Sequence, residues 1–244
     1  MSLPRSPATA RRHPQRPRRP SGQLKLSMNT WGGRRKGAGR PRKEGSGPPH
    51  RSRSPVASRF PVHLCLKIEK ALPSLRRQKA RSVLEACFRD GKERDGFRLI
   101  HYSIQHHHLH LIAEAQGALA LSRGVRGLSI RIARHLNRLW DRKGRVFAER
   151  YFARTLKTPR EVRNALRYVL LNGARHDAAR GVLIARGGLD PYSSARTFDG
   201  FRGLEPQVLS AAKSPVAKAR TYLLCRGWRV HGLISLSDVP ALPP

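Results

Sequence analysis

The chain has 244 residues, which is enough for one good-sized domain with tails or for two small domains. Its formal net charge is +35, from 50 Lys and Arg against 15 Asp and Glu, so we expect nucleic acid as the partner. No run of 18 apolar residues occurs, which excludes a membrane-spanning helix, and three widely spaced cysteines exclude a zinc-binding spacing or a disulfide framework.

Residues 1–58 are a basic N-terminal tail that holds 15 Lys and Arg and a single acidic residue, Glu44. The tail buries too little apolar surface to offset the entropy of ordering, so we expect it to be disordered when free. Within it, residues 32–43 resemble an AT-hook, whose extended Gly-Arg-Pro core enters a narrow A·T minor groove. A solvated linker that touches only phosphates is the alternative. The candidate DNA contacts of the tail are Arg40, Arg42 and Lys43.

From residue 59 the pattern becomes globular, with strands indicated by apolar residues at every second position and helices by three-and-four spacing. Ser74 is the predicted N-cap of the first helix. The predicted elements are a strand at 62–68, a helix at 74–90, strands at 97–102 and 105–115, a helix at 118–141, an extended segment at 146–155 and a helix from 159. This order predicts an α+β fold, a ferredoxin-like sandwich with an antiparallel sheet and helices.

Three regions of different character follow from this pattern. The basic tail is followed by a globular domain at 59–177 and by a C-terminal extension at 178–244. In the extension, residues 215–226 predict a short basic helix that ends at Gly227. The extension either docks on the domain or adds DNA contacts, and the sequence leaves both open.

Histidines two residues apart lie in the predicted strand around 103–112. Side chains alternate faces in a strand, so His106, His108 and His110 project to one side, where two imidazoles can share a metal ion. His108 and His110 are the preferred pair, and the pair His106/His108 stays open. Glu114, at the end of the strand, is a further candidate ligand.

The helix that begins at residue 159 carries a second set of polar groups. A capping box with proline at the first helical position, residues 158–161, marks its start. Tyr168 and Asn172 lie one turn apart on this helix, so that a hydroxyl stands beside an amide oxygen. If the helix packs beside the histidine strand, His108, His110 and Asn172 surround a divalent cation and Tyr168 points at the group that the cation polarises.

These residues resemble the HUH endonucleases, named for histidine, hydrophobic residue, histidine, and within them the single-tyrosine transposases, especially the REP-associated group. The resemblance covers roughly residues 59–177 and is carried by His108-Leu109-His110, by residues 144–151 and by the Tyr168-x3-Asn172 helix. The chain departs from the family at two places. His106-His107 replaces a Pro-Asn pair before the first metal histidine, and Gly173 replaces a proline after Asn172.

The resemblance implies a metal-dependent transposase that cleaves single-stranded, hairpin-marked DNA in the cytoplasm of a bacterium, at the nucleoid. Attack by Tyr168 would leave a 5′-phosphotyrosine and a free 3′-hydroxyl, so the same site could rejoin strands. The mixed nitrogen and oxygen ligands suit Mg²⁺ or Mn²⁺. The expected DNA contacts outside the tail are Arg150, Tyr151, Arg163 and Arg167.

Two alternatives to this enzyme remain open. The departures at residues 106–107 and 173 favour a catalytically decayed relative that only binds structured DNA. The second alternative is an RNA-binding basic protein, in which the histidine and tyrosine motifs would occur by coincidence. The sequence also leaves open whether the protein is a monomer or a homodimer with exchanged helices.

Overall fold

The structure is a computed structural model of the chain and describes residues 55–179 and 189–238. Residues 1–54 of the basic tail, with Arg40, Arg42 and Lys43, lie outside the described residues. Among the helices of the described part, none combines the length and the apolar character needed to cross a bilayer.

Five strands form one antiparallel sheet in the order β2-β3-β4-β1-β5. The strands are β1 (Val62–Lys67), β2 (Glu93–Arg94), β3 (Phe97–Ile104), β4 (His108–Ala115) and β5 (Phe152–Thr155). The helices are α1 (Gln78–Gly91), α2 (Ala118–Leu139), α3 (Pro159–Ala179) and the short α4 (Tyr222–Cys225). With β1 and β4 at the centre and α1 and α2 as crossovers, this is the predicted ferredoxin-like α+β arrangement, and the predicted fold class is confirmed.

The alternation of side chains along the strands divides the core into two layers. Leu109, Leu111 and Ala113 of β4 pack in a cluster with α1 and α2. The residues between them face the other way, and Ile112 joins a second cluster with α3. His108 and His110 lie four and two residues before Ile112, so their side chains project from the same face of β4 as Ile112, toward the tyrosine helix.

The buried hydrophobic residues of 189–238 belong to the same core cluster as α3, whereas Tyr192 and Val216 pack against the cluster of α1 and α2. Trp228, fully buried, packs in the α3 cluster beside Phe198 and Leu224. A second attachment is polar: the carboxylate of Glu114, 2% exposed, accepts backbone hydrogen bonds from Arg220 (3.0 Å) and Thr221 (2.8 Å). The described part of the C-terminal region therefore shares a core with the sheet.

The same attachment corrects two predictions. Glu114 also pairs with Arg98, so its oxygens are engaged and it is not a metal ligand. The helix predicted at 215–226 is reduced to the four residues of α4, because the backbone N–H groups of Ala217, Arg220 and Thr221 donate to the sheet instead.

The start of α1 was also predicted wrongly. The helix begins at Gln78, and Ser74 caps a turn before it by accepting a hydrogen bond from the backbone N–H of Arg76. The Ser74 hydroxyl also lies 2.8 Å from Nδ1 of His106. A side chain bound across the molecule in this way is not available to cap a helix.

The start of α3 is as predicted. Thr158 Oγ1 accepts a hydrogen bond from the backbone N–H of Glu161, and the Glu161 carboxylate accepts from the backbone N–H of Thr158 and of Lys157. This reciprocal capping box begins the helix with Pro159 at its first position, and so sets the rotation that places Tyr168 toward the sheet.

Candidate active site

Strand β4 supplies the two adjacent imidazoles of the site. His108, at the first position of the strand, is partly exposed, whereas His110 is 5% exposed. Their ring centroids are 4.8 Å apart and the rings are nearly perpendicular. His106 precedes the strand and its Nδ1 lies 2.8 Å from the Ser74 hydroxyl, so the regular alternation of β4 begins at His108 and not at His106.

Helix α3 brings Tyr168 against the second of these histidines. The Tyr168 hydroxyl lies 3.3 Å from Nε2 of His110, and the two ring centroids are 4.9 Å apart. Tyr168 as a whole is partly exposed. The structure thus brings together the predicted nucleophile and one predicted ligand.

A third histidine, His63 on β1, completes a line of rings. Its Nε2 is 3.3 Å from Nδ1 of His110, with centroids 5.3 Å apart in a stacked arrangement. Its ring also meets Tyr168 edge-on at 5.9 Å. Burial, with a smaller contribution from the positive charge of Arg154, lowers the pKa of His63 to about 4, so the ring is neutral at pH 7.

Asn172 lies one turn after Tyr168 on α3 and is fully buried. Both polar atoms of its amide, Oδ1 and Nδ2, lack a hydrogen-bond partner among the described residues. An unpaired buried amide is costly, by about 1–3 kcal/mol, so native proteins rarely retain one without a bound group. Gln105 shows the same feature at Oε1, while its Nε2 donates to Ser103 at 2.7 Å.

The donor set suits a small divalent cation. Across residues 55–179 and 189–238 there is no cluster of three or more His, Cys, Asp or Glu that could hold a metal. The third predicted ligand is an amide, however, and the unpaired oxygen of Asn172 is the kind of group that a cation would satisfy. Two imidazoles and an amide oxygen thus fit Mn²⁺ or Mg²⁺.

The predicted arginine contacts separate into two groups. Arg163 donates to the backbone carbonyls of Gly232 (3.1 Å) and Leu233 (3.2 Å) and pairs with Asp238 at 2.9 Å. These bonds tie α3 to the C-terminal region and argue against Arg163 as a DNA contact. Arg167, four residues on, is partly exposed, and its buried Nε has no partner in the described ranges.

Arg150 and Tyr151 lie on the opposite face of the sheet from Tyr168. They border a cleft of about 270 Å³ between α2 and residues 147–151, together with Arg126 and the core residue Leu66. Tyr151 packs against the cluster of α1 and α2. The structure therefore does not bring Arg150 and Tyr151 to the tyrosine and histidines.

Comparison with known proteins gives this arrangement a family. Residues 58–171 match the family model described as "Transposase IS200 like". Residues 58–171 belong to the IS200-like transposase family. The resemblance to HUH-type transposases, predicted from the sequence, is thereby confirmed, and His63, His108, His110 and Tyr168 all fall inside the matched range of this transposase domain.

Two solved structures are similar to this chain. One is described as a REP-associated tyrosine transposase bound to a REP hairpin; identity is 13%, the TM-score is 0.43, and the match covers 66% of this chain and 99% of that one. The other is a proposed transposase from Deinococcus radiodurans, with 15% identity, a TM-score of 0.35 and coverage of 59% and 100%. No curated protein matches the sequence significantly. The family assignment rests on the family match.

The transposase domain has two features near the site that the sequence reasoning missed. The first is His63, which the sequence shows as a polar residue on a predicted strand. The sequence does not show that this strand pairs with the histidine strand and brings His63 to His110. The second is a buried ion pair, in which Arg76 binds both carboxylate oxygens of Asp190 at 2.9 and 3.0 Å. Its partners are 114 residues apart, and nothing in the local sequence links them.

Proposed function

We propose that this transposase domain cleaves and rejoins single-stranded DNA with Tyr168 as nucleophile and with a divalent cation held by His108, His110 and Asn172. The single observation that carries the proposal is the 3.3 Å approach of the Tyr168 hydroxyl to His110, on a face that also holds the unpaired amide of Asn172. The family assignment supports a DNA-processing reaction.

The reaction is a transfer of a phosphoryl group. The phenolic oxygen of Tyr168 attacks the phosphorus, a new oxygen–phosphorus bond forms, and the bond from phosphorus to the 3′ oxygen breaks. The phenol loses a proton and the leaving 3′ oxygen gains one, so the products are a 5′-phosphotyrosine and a free 3′-hydroxyl. Attack by a 3′-hydroxyl on the same linkage reverses the step, which is why strands can be joined without ATP.

The residues of the site have separate tasks in this scheme. A free phenol ionises with a pKa of about 10, so Tyr168 needs a positive field or a proton acceptor to react near neutral pH. When bound, the cation supplies that field as a Lewis acid and neutralises the non-bridging phosphate oxygens. Nε2 of His110, which would bind the cation, lies 3.3 Å from the Tyr168 hydroxyl, and α3 holds that hydroxyl on a rigid element.

The DNA is proposed to contact several basic surfaces. Arg167, next to Tyr168 in the chain, is the nearest remaining candidate for a phosphate contact. Arg150 and Tyr151, with Arg126 in their cleft, offer phosphate and base contacts on the opposite face, where a hairpin could be held away from the cleaved strand. Arg163 is omitted from this set because it binds the C-terminal region.

The organisation of the chain is part of the proposal. Residues 1–58 would add affinity for DNA without sequence specificity, and an A·T-rich duplex contact would come from Arg40, Arg42 and Lys43. The described part of the C-terminal region would stabilise α3 by packing. The proposed place of action is the bacterial nucleoid.

The test is a denaturing gel with hairpin oligonucleotides from the flanks of the gene, labelled at the 5′ or the 3′ end, with Mn²⁺ or EDTA. We expect a protein–DNA adduct that requires Mn²⁺ and is absent in Tyr168→Phe. Tyr222→Phe is the matched control, since Tyr222 is 67% exposed and distant in sequence from the site. An adduct in Tyr168→Phe would overturn the assignment of the nucleophile. Binding without an adduct in any variant would favour the decayed relative.

A histidine variant separates cleavage from binding. His108→Ala should abolish cleavage and leave DNA binding nearly intact, because the basic surfaces are unchanged. His135→Ala on α2 is the control, since this exposed ring bonds the Arg131 carbonyl of its own helix. Loss of binding in His108→Ala would contradict a separate basic binding surface.

A further inference from the structure

The two ring nitrogens of His110 have different partners, and this asymmetry has a chemical meaning. Nδ1 lies 3.3 Å from Nε2 of His63, and Nε2 lies 3.3 Å from the Tyr168 hydroxyl. A neutral imidazole carries one proton, so one nitrogen donates and the other accepts. Which nitrogen of His110 is the acceptor decides what it can do for Tyr168.

The two tautomers of His110 are not equivalent in this site. With the proton on Nδ1, His110 donates to His63 and turns the lone pair of Nε2 toward Tyr168. With the proton on Nε2, the lone pair would face His63 instead. The nitrogen nearest Tyr168 could then neither accept the phenolic proton nor bind a cation.

We propose that His63 is a positioning residue that holds His110 in the tautomer protonated at Nδ1, by accepting a hydrogen bond from that nitrogen. The inference rests on the proposed function only for the role of Nε2, which in this tautomer carries the lone pair. His63 acts through His110 and not on the substrate, because its Nε2 is directed at the nitrogen of His110 that faces away from Tyr168.

The surroundings of His63 fit a residue that must stay in place. It lies on β1, a strand hydrogen-bonded on both sides, and its sheet partners are Ile112 on β4 and Arg154 on β5. Its ring stacks on His110 at an interplanar angle of 29° and meets Tyr168 edge-on. An acceptor fixed by a central strand and two rings can select one tautomer of its neighbour, as hydrogen-bond partners of metal-binding histidines commonly do.

A direct measurement of the tautomer is the first test. Long-range ¹H–¹⁵N correlation spectra of the full chain, labelled at histidine and free of metal, distinguish a protonated ring nitrogen from an unprotonated one; His110→Gln assigns the signals. We expect His110 to be protonated at Nδ1 in the wild type and to become a mixture of tautomers in His63→Leu. A wild-type ring protonated at Nε2 would overturn the proposal outright, whatever the variants do.

Affinity for Mn²⁺ is the second readout, measured by titration of the protein without DNA. His63→Leu should weaken binding by about 10–100-fold, the range typical for loss of a partner of a metal-binding histidine. His63→Gln, whose amide oxygen can reach the place of Nε2, should restore most of it. His101→Leu is the matched control: His101 faces the same side of the sheet but lies 3.2 Å from Ser194, so Mn²⁺ affinity should be unchanged.

The outcomes separate this inference from the proposed function. If the wild type binds no Mn²⁺ and His108→Ala changes nothing, the proposed cation site fails, while the tautomer measurement still stands. If the wild type binds Mn²⁺ and His63→Leu binds it equally well, the role of His63 is refuted and the cation site survives. Equal losses in His63→Leu and His101→Leu would mean that both act only through stability, which also refutes the role.

Discussion

Replacement of Gly173 by alanine should destabilise the protein far more than a single methyl group normally does. Gly173 follows Asn172 on α3 and is buried against Asp190. A Cβ at this position would overlap the Asp190 carboxylate and come within 2.9 Å of the Asp190 Cβ. That carboxylate is 4% exposed and is held by two hydrogen bonds from Arg76, so it cannot move aside without breaking a buried ion pair.

The magnitude follows from two opposing terms. Alanine in a helix interior is favoured over glycine by about 1 kcal/mol. Breaking a buried ion pair costs about 3–5 kcal/mol, since a charge is left without its partner. The expected net loss for Gly173→Ala is about 2–4 kcal/mol in the free energy of unfolding, or roughly 5–15 °C in Tm for a protein of this size.

The assay is urea denaturation with thermal melting of the full chain, and Gly127→Ala is the control. Gly127 also lies inside a helix, α2, but beyond its chain neighbours and its own helix backbone no described atom lies within 4 Å of the place where its Cβ would be. Gly127→Ala should therefore stabilise the protein by up to about 1 kcal/mol. Opposite signs for the two substitutions are the expected result.

A double-mutant cycle decides whether Asp190 is the cause. In an Asp190→Gly background the obstacle, including the Asp190 Cβ, is gone, so adding Gly173→Ala should be neutral or stabilising by up to about 1 kcal/mol. An equal loss in both backgrounds, or no loss in the wild-type background, would refute the reasoning.

Three further results are expected. Glu161→Ala should cost about 1 kcal/mol through loss of the α3 capping box, measured by urea denaturation, whereas Glu149→Ala, whose ion pair is exposed, should stay within about 0.5 kcal/mol. Glu114→Gln should loosen residues 189–238 and raise their rate of cleavage in limited proteolysis; an unchanged rate would contradict the anchoring role. Burial lowers the pKa of His101 to about 4, below its unfolded value of 6.5. Between these two pH values the unfolded chain binds a proton at His101 and the folded chain does not. Stability should therefore fall as the pH drops from about 6.5 to 4, by up to about 3 kcal/mol from this residue, and His101→Leu should show a shallower pH dependence of Tm.

The parts of this protein that were predictable from sequence are those encoded locally. The period of two in β4 and the capping box at 158–161 each depend on residues a few positions apart, and both were predicted correctly. The approach of Tyr168 to His110 followed from a resemblance to a family, and periodicity alone would not have shown it.

The features that were missed depend on long-range contacts. The local sequence predicts Ser74 as a helix N-cap, but in the structure its hydroxyl contacts Nδ1 of His106. Glu114 reads as a spare carboxylate until the backbone of residues 220–221, more than 100 positions later, is seen to bind it. Local propensity cannot represent such competition, because the competing partner is absent from the local window.

The bonds between α3 and the C-terminal region also bear on how many molecules one reaction requires. Arg163 is fastened to Gly232, Leu233 and Asp238 of its own chain, and the buried Trp228 lies in the same cluster as α3. Exchange of α3 between two copies would have to break these attachments or carry residues 189–238 along with the helix. Tyr168 and His110 of one chain are already in contact, so we propose that the site acts within one chain and expect the rate of cleavage per molecule not to change on dilution.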